Sequence, residues 1–224
     1  MPAPVYPTYL DGYSVLPALK RLDGPVFVRD EEAGWYREEK ERALAQQQCC
    51  MRHELPPELE AAIVAWIVGQ TNVVAPFTLE GVMLQLQEDI AIQRIDQGRD
   101  WLAGCHICFP SGWLPEEKIG RPLELIHSPI PGINLPTSHK LVETIVHHGP
   151  FVRYVWSVVY ERAINYHPQY VKQPFDPNGP IYVKVERQVT WGFPEWNAAA
   201  FVLRQGLIPR RRLITPRYTV LVRT

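Results

Sequence analysis

The sequence predicts an α+β fold, because helix-like segments dominate its first half and strand-like runs dominate its second half. Three strand-like runs follow Gly149-Pro150: FVRYVWSVVYE, IYVKVERQVTW and AAAFVLRQ. Successive strands of this kind favour an antiparallel meander. With 46% hydrophobic residues, the 224-residue chain also has enough apolar material for a large core.

Helical periodicity predicts the elements of the first half. The charged segment 30–48 is rich in helix formers and is predicted to be an exposed helix. Pro56-Pro57 opens a second helix, ELEAAIVAWIVGQ, because proline is tolerated in a first helical turn. Thr78 is predicted to cap the N-terminus of a third helix, LEGVMLQLQ.

The middle of the chain is predicted to contain a buried strand, WLAGCHICF, then a turn with a short helix, PSGWLPEEKIG. An amphipathic helix, SHKLVETIVHH, follows at 138–148. The strand carries a C-x-x-C spacing at Cys105 and Cys108. A structural zinc site normally needs a second spaced pair, and Cys49-Cys50 is adjacent rather than spaced, so buried thiols are favoured over metal ligands.

Composition limits the domain organisation and the partners. Residues 1–55 are predicted to form an N-terminal extension that packs on a domain of residues 56–224. The proline-rich first 30 residues of this extension are predicted to wrap the surface.

A net charge of −1 argues against nucleic-acid binding. No stretch approaches the roughly 20 apolar residues that span a bilayer. Because the N-terminus lacks a signal-peptide pattern, we expect a cytoplasmic protein with reduced thiols.

Two predicted strands place an arginine in an apolar row. Strand periodicity puts Arg187 on one face with Val183, Val185 and Val189, and puts Glu186 on the other face. Arg153 shares a row with Val155, Ser157 and Val159. An arginine in such a row is costly unless it is paired. Periodicity alone leaves open whether each arginine forms an internal salt bridge or anchors a carboxylate ligand.

His127 is the histidine whose position is most informative. Pro129 disfavours the helical region for Ser128, so a helix through PLELIH should end at or near His127. The imidazole then projects from a helix end beside a rigid Pro-x-Pro segment. Two interpretations remain open at this point, a helix cap that favours the helix dipole and a ligand-binding group.

Five motifs in register make the chain resemble the haem-dependent oxidative N-demethylase alpha-subunit family over about residues 30–205. Each motif alone is weak, but their order and approximate spacing agree with the family pattern. The motifs are Glu88-Asp89, Pro110-Ser111-Gly112-Trp113, Lys118-Ile119-Gly120, the Ile-His-x-Pro-x-Pro segment from Ile126 to Pro131, and Glu186-Arg187-Gln188.

The resemblance implies a PAS-like domain that holds haem b and uses O₂ to oxidise a small amine. It further implies a separate flavin and iron–sulfur reductase as electron donor. His127 becomes the expected iron ligand, since neutral imidazole is a usual axial ligand of haem. The other residues that it implies fall into two groups. The catalytic group is Glu186, Arg187 and Glu88, and the cofactor-binding group is Arg153, Arg187, Trp156 and Lys118.

The chain departs from the family pattern in two places. Where the family tends to have Arg-x-Asn-Trp, this chain has Val155 in place of the asparagine. The family's basic Leu-Arg-Arg-Leu-Pro run is replaced by Thr190-Trp191-Gly192-Phe193-Pro194. Two alternatives to an oxidative enzyme therefore stay open: a haem-binding sensor or carrier without turnover, and a haem-free domain in which His127 caps a helix.

Overall fold

A computed structural model describes residues 18–128, 138–170 and 173–210. In these ranges the chain forms one seven-stranded antiparallel sheet flanked by helices, so the predicted α+β class is confirmed. The strands are β1 (Lys20–Arg21), β2 (Cys50–Arg52), β3 (Asp89–Asp96), β4 (Arg99–His106), β5 (Phe151–Val159), β6 (Tyr182–Phe193) and β7 (Ala198–Pro209). The α-helices are α1 (Ala33–Gln46), α2 (Pro57–Gln70), α3 (Leu79–Met83), α4 (Leu123–His127) and α5 (Ser138–His148).

The strand order is β1-β5-β6-β7-β3-β4-β2. The predicted meander is confirmed as β5, β6 and β7, in which neighbours in sequence are also neighbours in the sheet. The predicted strand WLAGCHICF corresponds to β4, which pairs with β3. Sequence reasoning missed β3, where polar residues such as Gln93 and Arg94 interrupt the alternation. It also missed β1 and β2, which are too short to show any period.

Two helices differ from their prediction. The third helix is shorter than predicted and ends at Met83, although Thr78 caps it as expected by accepting a hydrogen bond from the Gly81 amide at 3.1 Å. The prediction that α1 is exposed is only partly right, because Tyr36, Lys40 and Ala43 are buried. Lys40 is fully buried because its ammonium donates to the Met83 and Glu88 carbonyls.

The first face of the sheet is the one that carries Ile92, Arg187, Val189 and Val202. Side chains of α2 and α3 pack on this face and form the largest hydrophobic cluster. Val26 is 2% exposed within the same cluster, so the segment before α1 contributes to the core rather than only wrapping the surface. This face of the sheet is therefore closed by the first half of the chain.

The second face is the one that carries Arg153, Glu186, Gln188 and Leu203. Helix α5 packs over one end of it, where buried α5 residues contact Ala199. A Cβ at Gly192 would collide with the Val146 carbonyl group, so glycine there lets α5 lie directly against β6. The predicted amphipathic helix 138–148 is confirmed by this packing.

Several predictions fall on residues that the structure does not describe. These residues are 1–17, the Pro-x-Pro segment within 129–137, and the predicted C-terminal strand TVLVRT. The boundary between extension and domain at residue 56 stays a prediction. The described part of the N-terminal segment contributes β1 and β2 to the sheet and α1 to its core. Among the described helices, none has the length and apolar character needed to cross a membrane.

Candidate functional site

His127 is the last residue of α4, as the sequence predicts. Ser128 nevertheless has helical dihedral angles, φ −51° and ψ −30°, so the prediction that Pro129 moves it out of the helical region is wrong. The steric effect of proline disfavours this conformation without forbidding it. His127 Nδ1 donates a hydrogen bond to the Leu123 carbonyl oxygen at 2.9 Å. This bond fixes the tautomer, so in neutral imidazole the lone pair is on Nε2.

The electrostatic environment of His127 identifies its neighbours. Burial has the largest effect and lowers the imidazole pKa. The positive charges of Arg153 and Lys118 lower it further, while the Leu123 hydrogen bond and the negative charge of Glu186 oppose the shift. Among the described residues Nε2 has no hydrogen-bond partner. The ring is therefore held in its neutral form with an unused lone pair, which is the state that a metal requires of histidine.

Arg153 lies on the second face of the sheet without a close partner. The strand register pairs it with Gln188 and pairs Val155 with Glu186, so all four side chains point to one side. Arg153 Nε is buried without a hydrogen bond, and the guanidinium forms no ion pair within the described part of the chain. Burial lowers the pKa of Arg153, and the nearby charge of Glu186 only partly offsets this effect. A half-buried guanidinium without an ion pair suits an anionic ligand.

Glu186 is a carboxylate held in place by amides. Its Oε1 accepts a hydrogen bond from Gln188 Nε2, and its Oε2 lies 3.4 Å from Gln205 Nε2 on the neighbouring strand β7. Gln205 in turn donates to the Phe109 carbonyl oxygen. These bonds fix the orientation of the carboxylate and leave its charge unneutralised by any direct ion pair among the described residues.

Lys118 is positioned by the turn that contains the Lys-Ile-Gly motif. A 3₁₀-helix at Pro115–Glu117 precedes it, and its own amide donates to the Pro115 carbonyl oxygen at 3.0 Å. Gly120 has a φ of +76°, and a Cβ there would lie 3.1 Å from the His53 ring, so only glycine fits this turn. Lys118 is 9% exposed, and its ammonium has no ion-pair partner in the described ranges.

An apolar patch adjoins these charges. Leu203 pairs with Gln188 in the sheet register and so lies on the second face. It belongs to a cluster with Trp113 and Ile119, two residues of the turn that precedes α4, and with Met51 and Cys105. The second face therefore combines an apolar surface with a small group of charged side chains.

The remaining predicted site residues lie elsewhere. Arg187 is on the first face, where it donates hydrogen bonds to the Val26 carbonyl at 2.7 Å and the Pro25 carbonyl at 2.6 Å. Trp156 packs with Val185 on that same face. Glu88 is buried, accepts a bond from the Val28 amide at 2.8 Å and lies 3.9 Å from Arg204. The structure does not bring these three residues to His127.

The predicted separation of Glu186 and Arg187 is confirmed, because β6 keeps a regular register with both neighbours and contains no bulge. Gln188 belongs to the Glu186-Arg187-Gln188 motif but has no predicted site role, and Gln205 belongs to none of the five motifs. Strand periodicity already places Gln188 beside Glu186. Gln205 could be found only from the register between β6 and β7.

The residues that replace the family's basic run do not contribute charge to the second face. Trp191 and Phe193 instead pack around Trp66 of α2, with ring centroids 5.3 Å and 5.5 Å away. This run therefore serves the core of the first face. Any anionic group on the second face must rely on other cations, of which Arg153 and Lys118 are available.

The family of the chain follows from a comparison with known proteins. No curated protein is similar enough to the chain to count as a match. The sequence model of one family, "Haem-dependent oxidative N-demethylase, alpha subunit-like", matches residues 58–220. The match includes His127, Arg153, Lys118 and Glu186 and covers well over half of the chain. The chain belongs to the haem-dependent oxidative N-demethylase, alpha subunit-like family.

Proposed function

We propose that this chain is a PAS-like haem b-binding domain that serves the O₂-dependent oxidation of a small amine, with the cofactor held on the second face of the sheet. One observation carries this proposal. His127 has its Nδ1 proton fixed on the Leu123 carbonyl and its Nε2 lone pair unused, near the half-buried Arg153, whose Nε has no hydrogen bond. The haem dependence in the family's name supports haem as the cofactor.

The residues of the second face fit haem b chemically. His127 Nε2 would be the atom that ligates the iron, and the Nδ1 bond to a backbone carbonyl would orient the imidazole for this role. Arg153 and Lys118 would pair with the propionate groups. The apolar surface around Trp113, Ile119 and Leu203 would contact the macrocycle.

When bound, haem supplies the iron centre at which O₂ and electrons from a separate flavin and iron–sulfur reductase are used to oxidise an N-methyl group. Glu186 would pair with the ammonium of the substrate through its carboxylate oxygens, which Gln188 and Gln205 hold in place. The same carboxylate would accept the ammonium proton, leaving the free amine that oxidation requires. Val155, opposite Glu186 in the register, adds an apolar contact for a methyl group.

A second function, a haem-binding sensor or carrier without turnover, is favoured by the same Val155. The resemblance places an asparagine at this position in the family, and valine removes a polar group from the face that carries Glu186. The two functions share the haem site and differ only in whether an amine is oxidised.

The haem site is tested by absorption spectra of protein expressed with a haem precursor. We expect a Soret band in wild-type protein and in His147→Ala, whose exposed histidine on α5 is a matched control. His127→Ala should lose the band or shift it strongly, because the axial ligand is gone. A His127→Ala spectrum identical to that of wild type would contradict the assignment of the ligand.

Turnover is tested with Glu186→Gln. The amide keeps the shape and the hydrogen-bonding capacity of Glu186 but removes its charge. We expect an unchanged Soret band and at least a roughly tenfold lower kcat/KM for formaldehyde release from N-methylated amines, corresponding to about 1.4 kcal/mol. If reduced, haem-loaded wild-type protein oxidises none of a panel of secondary and tertiary amines, the sensor or carrier function is favoured.

A further inference from the structure

A second cluster of potential metal ligands, which does not include His127, lies at the adjoining ends of β3 and β4. Asp89 begins β3, His106 ends β4, and Cys108 follows two residues later. Their ligand atoms all lie within 4.8 Å of one another. All three side chains are buried, with Asp89 2% exposed and the other two 0% exposed.

His106 is the member of this cluster whose burial is not explained by its hydrogen bonds. Its Nε2 is buried without a hydrogen-bond partner within the residues that the structure describes. Its Nδ1 faces the Cys108 sulfur at 3.8 Å, a weak contact for an imidazole. A fully buried imidazole without a nitrogen or oxygen partner is costly, and coordination of a metal ion would offset that cost.

Cys49 is a candidate fourth donor beside this cluster, although its sulfur is not among the ligand atoms that all lie within 4.8 Å of one another. It is 2% exposed in the same hydrophobic cluster as Cys108. The neighbouring Cys49 thiol is the largest cause of the raised pKa of Cys108, ahead of burial. Both thiols are free. The backbone joins their strands directly, since the Ile107 amide donates to the Cys49 carbonyl oxygen at 2.9 Å.

Asp89 is already oriented for this role. Its Oδ2 accepts hydrogen bonds from the amides of Cys108 at 3.1 Å and Phe109 at 2.8 Å. Its Oδ1 accepts no hydrogen bond and lies 3.4 Å from the Lys40 ammonium. Hydrogen bonds of this kind to a carboxylate ligand are typical of the outer shell of metal sites.

The charges of the cluster select a divalent cation. Lys40 balances Asp89, because the buried ammonium and carboxylate carry opposite unit charges. Loss of the two thiol protons from Cys49 and Cys108 would balance an added charge of +2. Binding therefore leaves no net buried charge, which is the condition for a stable buried ion. Two thiolates, one imidazole and one carboxylate match the tetrahedral donor set that zinc prefers.

We propose that Asp89, His106, Cys108 and Cys49 bind one zinc ion that joins the ends of β2, β3 and β4. Binding forms two zinc–sulfur bonds and releases two protons, with no change of oxidation state. The site does not depend on haem. The C-x-x-C spacing in the sequence is misleading here, because Cys105 lies in a different cluster with Met51 and Ile107.

The proposal is tested by metal analysis of protein purified under reducing conditions without chelators. We expect about one zinc per chain in wild type and in Cys105→Ser, the matched control, since Cys105 is buried on the same strand but outside the cluster. His127→Ala should also keep its zinc. Cys108→Ser and His106→Gln should weaken zinc binding at least about 100-fold.

Cobalt substitution of wild-type protein gives a readout that does not depend on how well the variants fold. One equivalent of Co²⁺ should produce the thiolate charge-transfer band and the intense visible bands of a tetrahedral site. Wild-type protein that takes up neither zinc nor cobalt would overturn the proposal. So would equal metal loss in Cys105→Ser and Cys108→Ser, or a cobalt spectrum without thiolate bands.

Discussion

Each face of the sheet carries an arginine from a strand, and the two arginines differ in whether they have hydrogen-bond partners. Arg187, on the first face, donates to two backbone carbonyls of the segment that covers it. Arg153, on the second face, has no hydrogen bond or ion pair within the described ranges. Arg187 thus stabilises the fold, whereas Arg153 is available to bind a ligand.

The same contrast holds for the charged residues around each arginine. On the first face Arg204 pairs with Asp30 at 2.6 Å. On the second face Lys118 and His127 Nε2 have no such partners among the described residues. Internal pairing makes a buried charge structural, while a buried charge without a partner indicates a binding site.

The largest expected effect is on stability, from Arg187→Met. The apolar stem of methionine keeps most of the packing, but both charge-assisted hydrogen bonds to Pro25 and Val26 are lost. We expect the free energy of unfolding to fall by about 3 kcal/mol, measured by urea denaturation. A loss below about 0.5 kcal/mol would mean that Arg187 does not anchor the N-terminal segment. Haem affinity of the folded fraction should not change.

Arg153→Gln should show the reverse behaviour. Removing a half-buried cation without a close partner costs little, so the free energy of unfolding should stay within about 0.5 kcal/mol of wild type. The loss of propionate pairing should weaken haem binding about tenfold, which is about 1.4 kcal/mol. Haem titration of the two arginine variants side by side measures the contrast. Stronger destabilisation by Arg153→Gln than by Arg187→Met would reverse our assignment of the two faces.

The smallest effect concerns the pH dependence of the first face. Burial alone would raise the pKa of Asp30, but the hydrogen bond from Gln87 and the charge of Arg204 outweigh it and lower the pKa below 3.8. A carboxyl with a lowered folded pKa contributes stability above its unfolded pKa of about 3.8 and loses it as pH falls through the folded value.

Asp30→Asn should therefore lower the free energy of unfolding at pH 7, by no more than about 1 kcal/mol because Asp30 is partly exposed. The difference from wild type should shrink as pH falls below 3.8, and denaturation at several pH values measures it. A difference that stays constant down to pH 2 would show that the ion pair with Arg204 contributes nothing that depends on charge.

Local patterns in the sequence were sufficient for most of the secondary structure. Strand-like runs identified β5, β6 and β7, helical periodicity identified α2 and α5, and the side-chain oxygen of Thr78 identified a helix start. All of these depend on interactions between residues close in sequence. Strands β1 and β2 exist only because β5 and β4 offer pairing edges, so no local signal could have found them.

The sequence by itself determined the α+β class and the opposite orientation of Glu186 and Arg187, because both follow from periodic rules along single segments. It also placed the end of α4 at His127, although Ser128 keeps helical dihedral angles and the predicted steric cause is therefore not observed. Only the tertiary structure decided which arginine has partners and which cysteine joins His106 and Asp89. These contacts depend on strand register and on how the N-terminal segment covers the sheet. They join residues far apart in the chain, and the spacing of a motif carries no information about such distances.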